Sequence, residues 1–355
     1  MIFKTFPQFL FEGGWATSKT QSTIIRPKII KDCVQKTKQL ESDFNKYLKE
    51  IGLPPLDFIK PVGSGTWYEE DIESQPDKVY GDVDFSVSYP VLQDTGKTER
   101  EMEIESTKIY NKELLSFLEN NKPGFIDVDE TRAVSNPNSI KLIMMVETPE
   151  GEGWIQVDFI VTHNSYKEWS IFRLTPIRNV KGFVLGNLYS SFGEVLELSI
   201  QPRGVRAKIK DGEVIGYSKK TGAEDRLITS DVNRFMNDIA KFIWKNTNPD
   251  KPYKESKSLE NWQGMDRNNP RFEDMCSGIK AVADTLDQLG EFGTTIKYNG
   301  KGQFLEAVKK RYIEKMETAA QSSKFDKAES EAAKAAAYKV KKISAEYIDK
   351  AKQLL

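Results

Sequence analysis

The sequence predicts an α+β chain: a small mixed β-sheet with flanking helices, then a mainly helical second lobe and a long C-terminal helix. Three observations carry that expectation. Apolar residues recur at spacings of three and four over 27–51, 99–120 and 230–246, the period of an amphipathic helix. Polar and apolar residues alternate strictly over 82–90 and 154–163, the period of a half-buried strand. Residues 303–355 are dominated by Ala, Lys and Glu and lack Gly and Pro.

In chain order, the first helix spans 27–51. Pro27 suits its first turn, and Ile30, Val34, Thr37, Leu40, Phe44 and Leu48 form one apolar face before Gly52 ends it. Phe58–Val62 is extended and runs into Gly63-Ser64-Gly65-Thr66, with a second helix over part of 66–73 and a polar loop after it. In the strand 82–90, Val83, Phe85 and Val87 alternate with Asp82, Asp84, Ser86 and Ser88. A helix at 99–120 follows. Residues 139–147 and 154–163 then form a hairpin around Thr-Pro-Glu-Gly-Glu-Gly, with Ile155, Val157, Phe159 and Val161 on one face and Asp158 on the other. Beyond about residue 165 the reading is a helix at 182–196, a hairpin at 204–217 turning at Asp211-Gly212, and helices at 230–246, with Asp231 near the N-cap, and 271–290. Val340, Ile343, Tyr347, Ala351 and Leu354 stripe the last helix. These elements suggest a boundary plan of 1–165, 166–300 and 301–355.

The 355 residues exceed one typical domain and fall short of three. Lys+Arg 52 against Asp+Glu 53 leaves −1, so bulk charge does not drive nucleic-acid binding, although a local basic patch stays open. From residue 301 the balance is +5, which fits either a helix packed on the body or a basic helix facing RNA. No apolar run is long enough for a bilayer-spanning helix, and the N-terminal run, broken by Lys4, Pro7 and Gln8, reads as a core-docking arm. Two cysteines, Cys33 and Cys276, exclude a disulfide scaffold and a Cys-rich zinc site and suit a reducing, cytoplasmic setting. A single histidine, His163, excludes a two-His metal site. Any metal must then be held by oxygen, which selects Mg²⁺, Mn²⁺ or Ca²⁺.

Asp82 and Asp84 are two apart on a strand, so their carboxylates share a face and repel unless a cation lies between them. Asp158 supplies a third carboxylate from the polar face of another strand. Read alone, Asp82 and Asp84 are also compatible with ordinary exposed strand positions. Three converging carboxylates without an imidazole suit Mg²⁺, and such a site can hold two ions about 4 Å apart. Gly63-Ser64, between a strand and a helix, suits phosphate: backbone N–H groups and a hydroxyl donate, and Gly63 has no Cβ to keep the phosphate away.

Gly63-Ser64, then Asp82-Val83-Asp84, then Asp158 on a later strand resembles the DNA polymerase β-like nucleotidyltransferase superfamily, whose pattern is hG[GS], [DE]h[DE] and a further acid. The 74-residue step from Asp84 to Asp158 is similar to the branch with archaeal CCA-adding enzymes, oligoadenylate synthetases and cyclic GMP-AMP synthase-like enzymes. The resemblance covers about residues 55–165. The 17 residues between Ser64 and Asp82 exceed the family's usual gap, which implies an enlarged turn beside the site. Glu12-Gly13-Gly14 and the residues after it also resemble segments of phage-type nucleotidyltransferases, although an ordinary turn accounts for them as well.

The resemblance implies that Gly63 and Ser64 hold a triphosphate, that Asp82 and Asp84 bind both metals, and that Asp158 binds the catalytic metal and helps deprotonate the acceptor. It implies two Mg²⁺ ions, with Mn²⁺ as the alternative, and an NTP substrate. Residues 173–178 resemble the triphosphate-contacting segment of archaeal CCA-adding enzymes, which makes Arg178 a nucleotide-binding candidate with Arg173 and Lys181; a solvated face is the other reading. Trp67, Tyr68, Tyr166 and Trp169 either stack a base or fill the core. The basic segment 202–210 either tracks an RNA backbone or is a solvent-facing edge strand, and His163 reads as a surface or capping histidine. The expected activity is Mg²⁺-dependent transfer of NMP from an NTP to an acceptor hydroxyl. An RNA or tRNA 3′ end ranks first as acceptor, then a second-messenger oligonucleotide, then a protein or small molecule. An inactive nucleotide-binding scaffold is the non-enzyme alternative.

Overall fold

Helix α1, Pro27–Glu50, buries Ile30, Val34, Thr37, Leu40, Phe44 and Leu48, the predicted stripe. It stops where Gly52 takes φ +77°, with Leu53 N–H donating to Leu48 O at 2.8 Å and Gly52 N–H to Lys49 O at 3.2 Å. That is the left-handed glycine cap that satisfies the last carbonyls of a helix. The computed structural model describes residues 23–78, 80, 83–90, 92, 97, 99–135, 140–149, 151–174, 182–216, 222–263, 271–321 and 331–355. The N-terminal arm, Glu12-Gly13-Gly14, Asp82, Arg178 and Lys181 lie outside them. The chain divides into two compact units, residues 1–179 and 180–355.

In the first unit, the Asn45 amide brackets Leu56, donating to its carbonyl at 2.8 Å and accepting from its N–H at 2.7 Å, and so aims the chain into β1, Asp57–Val62. The sheet runs β1, β2 (Val83–Tyr89), β4 (Gly151–His163), β3 (Ile140–Thr148). Both β1/β2 and β3/β4 are antiparallel, and β2/β4 is parallel. This is the mixed sheet the sequence predicts. Pro61, which lacks an N–H, sits beside an irregularity on the edge strand β1, where a missing donor is tolerated.

One sheet face is apolar: Val83, Phe85, Val87, Val157 and Phe159 are buried in a core with α1 and with α3, Glu99–Asn121. The other face is polar. Helix α5, Lys167–Leu174, lies against β2 and β4 there, with the Ser170 hydroxyl 3.2 Å from that of Ser86. A short helix, α4 (Val128–Val134), is capped by Asp127, whose carboxylate accepts from Glu130 N–H at 3.0 Å.

The hairpin turn is tighter than the sequence suggests. Gly151 and Gly153, read as turn residues, belong to β4. A Cβ on Gly153 would come within 2.8 Å of Thr148 Cγ2 and of Thr23 Oγ1, so this glycine makes room inside the strand. The long insert after Gly63-Ser64 is ordered by α2, Tyr68–Ser74. From it Asp71, with no solvent exposure, accepts from Lys78 Nζ at 2.5 Å and from the Tyr80 hydroxyl, while Tyr80 bridges to Ile25.

In the second unit, α6 (Phe183–Val195) leads into a sheet of β5 (Leu198–Gln201), β6 (Gly204–Lys210), β7 (Glu213–Ile215) and β8 (Glu224–Thr229). The predicted β6/β7 turn is present, with φ +53° at Asp211 and +84° at Gly212, the two positive angles of a type I′ turn. The basic segment 202–210 is neither an edge strand nor an exposed track. β6 pairs with β5 and β7 on one side and β8 on the other, and Arg206, 5% exposed, donates to Arg203 O at 3.2 Å and lies 3.9 Å from Asp225.

Helix α7 is Phe235–Thr247, starting later than predicted because Asp231 caps a preceding turn, accepting from Asn233 and Arg234 N–H groups. Helices α8 (Lys257–Gln263) and α9 (Phe272–Asp287) follow, then the small hairpin of β9 (Glu291–Gly293) and β10 (Lys297–Asn299). Among the described residues of the C-terminal stretch, α10 (Gly300–Ala320) and α11 (Glu331–Leu354) pack together. The α11 stripe is buried at Val340, Tyr347 and Ala351, with the Tyr347 ring edge-on to Phe272 at 5.0 Å.

Candidate functional site

Asp84 and Asp158 are register partners on the parallel strands β2 and β4. Partners on neighbouring strands share a sheet face at a spacing of about 4.8 Å. The row continues to β3, where Lys141 is the register partner of Asp158, and to β1, where Val62 is the partner of Asp84. Asp84, Asp158 and Lys141 therefore project side by side from the polar face, and all three are half-buried. Helix α5 covers the rows further along the strands, where Ser86, Ser88 and Thr162 are buried, and the acidic pair lies at the more open end.

Gly63 directly follows Val62 and so enters the site from β1. Its φ is +64°, in the left-handed region, and a Cβ there would come within 2.5 Å of Asp84 Oδ2. The bend is held by Thr66, whose hydroxyl donates to Gly63 O at 2.9 Å. The chain then runs as a 3₁₀ turn, Gly63–Trp67, into α2. Beside the turn, burial pushes the Tyr68 hydroxyl up to about 12, helped by its hydrogen bond to Glu69, so it is a neutral donor at pH 7.

Asp158 is held by two groups that the sequence reading did not single out. Gln156 Nε2 donates to Asp158 Oδ1 at 2.6 Å from a fully buried side chain. Lys141 Nζ stands 3.8 Å from Asp158 Oδ2. Both left traces in the sequence. Gln156 lies two residues before Asp158 and so shares its strand face, and Lys141 is the one cation in the apolar run Ile140–Val146.

Of the predicted site residues, the structure brings together Gly63, Asp84 and Asp158. Ser64 lies in the same turn by its backbone, and Asp82 and Arg178 are outside the described residues. Tyr166 and Trp169, at 1% and 0% exposure, are packed in the core and not open for base stacking. His163 caps the turn after β4, its Nδ1 accepting from Ser165 N–H at 3.3 Å.

Among the described residues no cluster of three or more metal-ligating side chains is present. Two carboxylates in register, with oxygen donors only and a glycine that leaves space for the carboxylate of Asp84, nonetheless fit a hard divalent cation. The like charges of the pair favour the same kind of ligand.

No family model matches the chain, and no curated protein matches it. Among solved structures, the chain is similar to a Leishmania infantum polymerase beta described as a ternary P/T complex, with a TM-score of 0.32 and 15% identity. That likeness covers 58% of this chain and 65% of the polymerase, so the chain spans less than two thirds of that protein.

Proposed function

We propose that this protein is a divalent-cation-dependent nucleotidyltransferase. It moves a nucleoside monophosphate from an NTP to an acceptor hydroxyl and releases pyrophosphate. The observation that carries this reading is the in-register pairing of Asp84 with Asp158 beside the left-handed Gly63. Asp84, Asp158 and, from the sequence pattern, Asp82 would hold Mg²⁺ or Mn²⁺. A bound divalent ion supplies charge stabilisation on the transferring phosphate and lowers the cost of ionising the acceptor.

The remaining work falls to the chain. The acceptor oxygen attacks the α-phosphorus, the bond from the α-phosphorus to the bridging oxygen of pyrophosphate breaks, and the acceptor proton passes to Asp158. Gln156 keeps that carboxylate from rotating by holding Oδ1. The backbone of the Gly63-Ser64 bend, and Arg178 by resemblance, receive the triphosphate. An RNA 3′ end is the first-ranked acceptor, on the +5 balance from residue 301 onward and not on the segment 202–210, which β8 covers.

The test is incubation with each α-³²P-labelled NTP and Mg²⁺, with and without total RNA, resolving products by size. Label entering RNA supports an RNA acceptor, small products formed without RNA support oligonucleotide synthesis, and label on protein supports protein nucleotidylation. Asp84→Asn and Asp158→Asn are each expected to lower turnover by a factor on the order of 10³ with an unchanged far-UV circular dichroism spectrum. Near-full turnover by Asp84→Asn would overturn the assignment.

A further inference from the structure

We infer that Lys141 is a built-in competitor of the divalent cation at the acidic pair. The inference rests on the cation-dependent reading above and adds to it a residue that sets how tightly the free ion binds. Three facts converge. Lys141 is the register partner of Asp158, so its charge enters the same row as Asp84 and Asp158 and on the same face. Its Nζ lies 3.8 Å from Asp158 Oδ2, a charge–charge distance longer than a hydrogen bond, and Asp158 Oδ1 is already taken by Gln156. Its side chain is only 18% exposed and that of Asp158 20%, so solvent screens the pair weakly.

Two adjacent carboxylates cannot both stay ionised cheaply in such a setting without a positive neighbour. Lys141 is a neighbour of that kind, 3.8 Å from Asp158 Oδ2. The same charge then repels an incoming divalent ion or must move aside for it, and either event weakens binding. The arrangement keeps affinity for the free ion low, so that occupancy of the site depends on the negative charge that a triphosphate brings. A lysine suits this role better than an arginine fork, because a point charge on a flexible stem can withdraw.

The experiment is Mn²⁺ binding to the full chain by electron paramagnetic resonance, without nucleotide, for wild type, Lys141→Met, Lys141→Gln and Lys141→Arg. The neutral variants are expected to bind Mn²⁺ about tenfold more tightly than wild type, and Lys141→Arg no more tightly than wild type. A second measurement needs no variant: in wild-type protein, saturating Mn²⁺ is expected to raise acetylation of Lys141 relative to that of exposed Lys112, because the ammonium is released from Asp158. Equal or weaker Mn²⁺ binding by folded neutral variants, or unchanged Lys141 labelling in wild type that binds Mn²⁺, overturns the inference and leaves the transferase reading standing. Mn²⁺ binding by the neutral variants alone supports it. No binding by any of the proteins overturns the cation site itself, and the role of Lys141 with it.

Discussion

The carboxylate of Asp84 occupies the space that a side chain on Gly63 would need, within 2.5 Å of where its Cβ would stand. The start of β2 and the bend after β1 are thus fitted to each other by the absence of one carbon. Gly63→Ala meets two obstacles at once, a φ of +64° and a clash with a charged group. The expected outcome is a folded protein, destabilised by about 1–3 kcal/mol, whose NTP turnover falls at least about 100-fold because Asp84 is pushed from its place. Thermal melts and the labelled-NTP assay check both halves. Wild-type turnover by Gly63→Ala would show that the contact is incidental.

The insert before β2 depends on a buried charge. Asp71 has no solvent exposure, and Lys78, at 2.5 Å, is its cationic partner, with the Tyr80 hydroxyl as a further donor. Removing one member of such a pair leaves an uncompensated charge inside the protein. Lys78→Met is expected to lower stability by about 3 kcal/mol, and Lys78→Met combined with Asp71→Asn to recover most of that loss. Urea melts of the two single variants and the double variant measure the coupling, and simple additivity would count against the clamp.

Glu197 links the start of β5 to the turn of the β9/β10 hairpin. It holds φ +60°, unusual for a residue with a side chain, and accepts from the Thr295 N–H at 2.7 Å and from the hydroxyls of Thr294 and Thr295. Burial pushes its carboxyl up, but these donors outweigh burial and hold it below the ordinary range. A carboxyl depressed in the folded state stabilises fully above its unfolded pKa of about 4.3, and that contribution is lost as pH falls through the folded value. Glu197→Gln is therefore expected to lower Tm at pH 7 and to lose much of that deficit below about pH 4. A deficit that is constant with pH would remove the ionised carboxylate from the explanation.

Both thiols are buried, and burial pushes each up to about 12, reinforced at Cys276 by the charge of Glu273. Neither has thiolate character at neutral pH. Native protein is expected to react with Ellman's reagent at neither cysteine on the minutes timescale and at both in guanidinium. A fast-reacting native thiol would mean that one of these helices opens readily.

Local pattern reported much of the architecture. The α1 stripe, the alternation in β2 and β4 and the Asp211-Gly212 turn are set by short-range periodicity and backbone geometry, which adjacent residues carry between them. Errors arose where a longer-range partner overrides the local signal. Gly153 reads as a turn glycine but serves a strand, where a Cβ would meet Thr148 and also Thr23, 130 residues earlier in the chain. The basic segment 202–210 reads as an edge, yet β8 covers its far side and Asp225 lies near Arg206. Tyr166 and Trp169 look the same in sequence whether they stack a ligand or fill a core.

At the site the division follows the same physics. Residue types and a period of two were enough to nominate Gly63, Asp84 and Asp158 and to say that a hard cation suits carboxylates of this kind. Side-chain period says which face a residue takes and nothing about which strand lies beside it. That Asp84 faces Asp158 across a parallel pair, with Lys141 next in the row, depends on register between segments 74 residues apart, set by burial of the opposite, apolar face against α1 and α3.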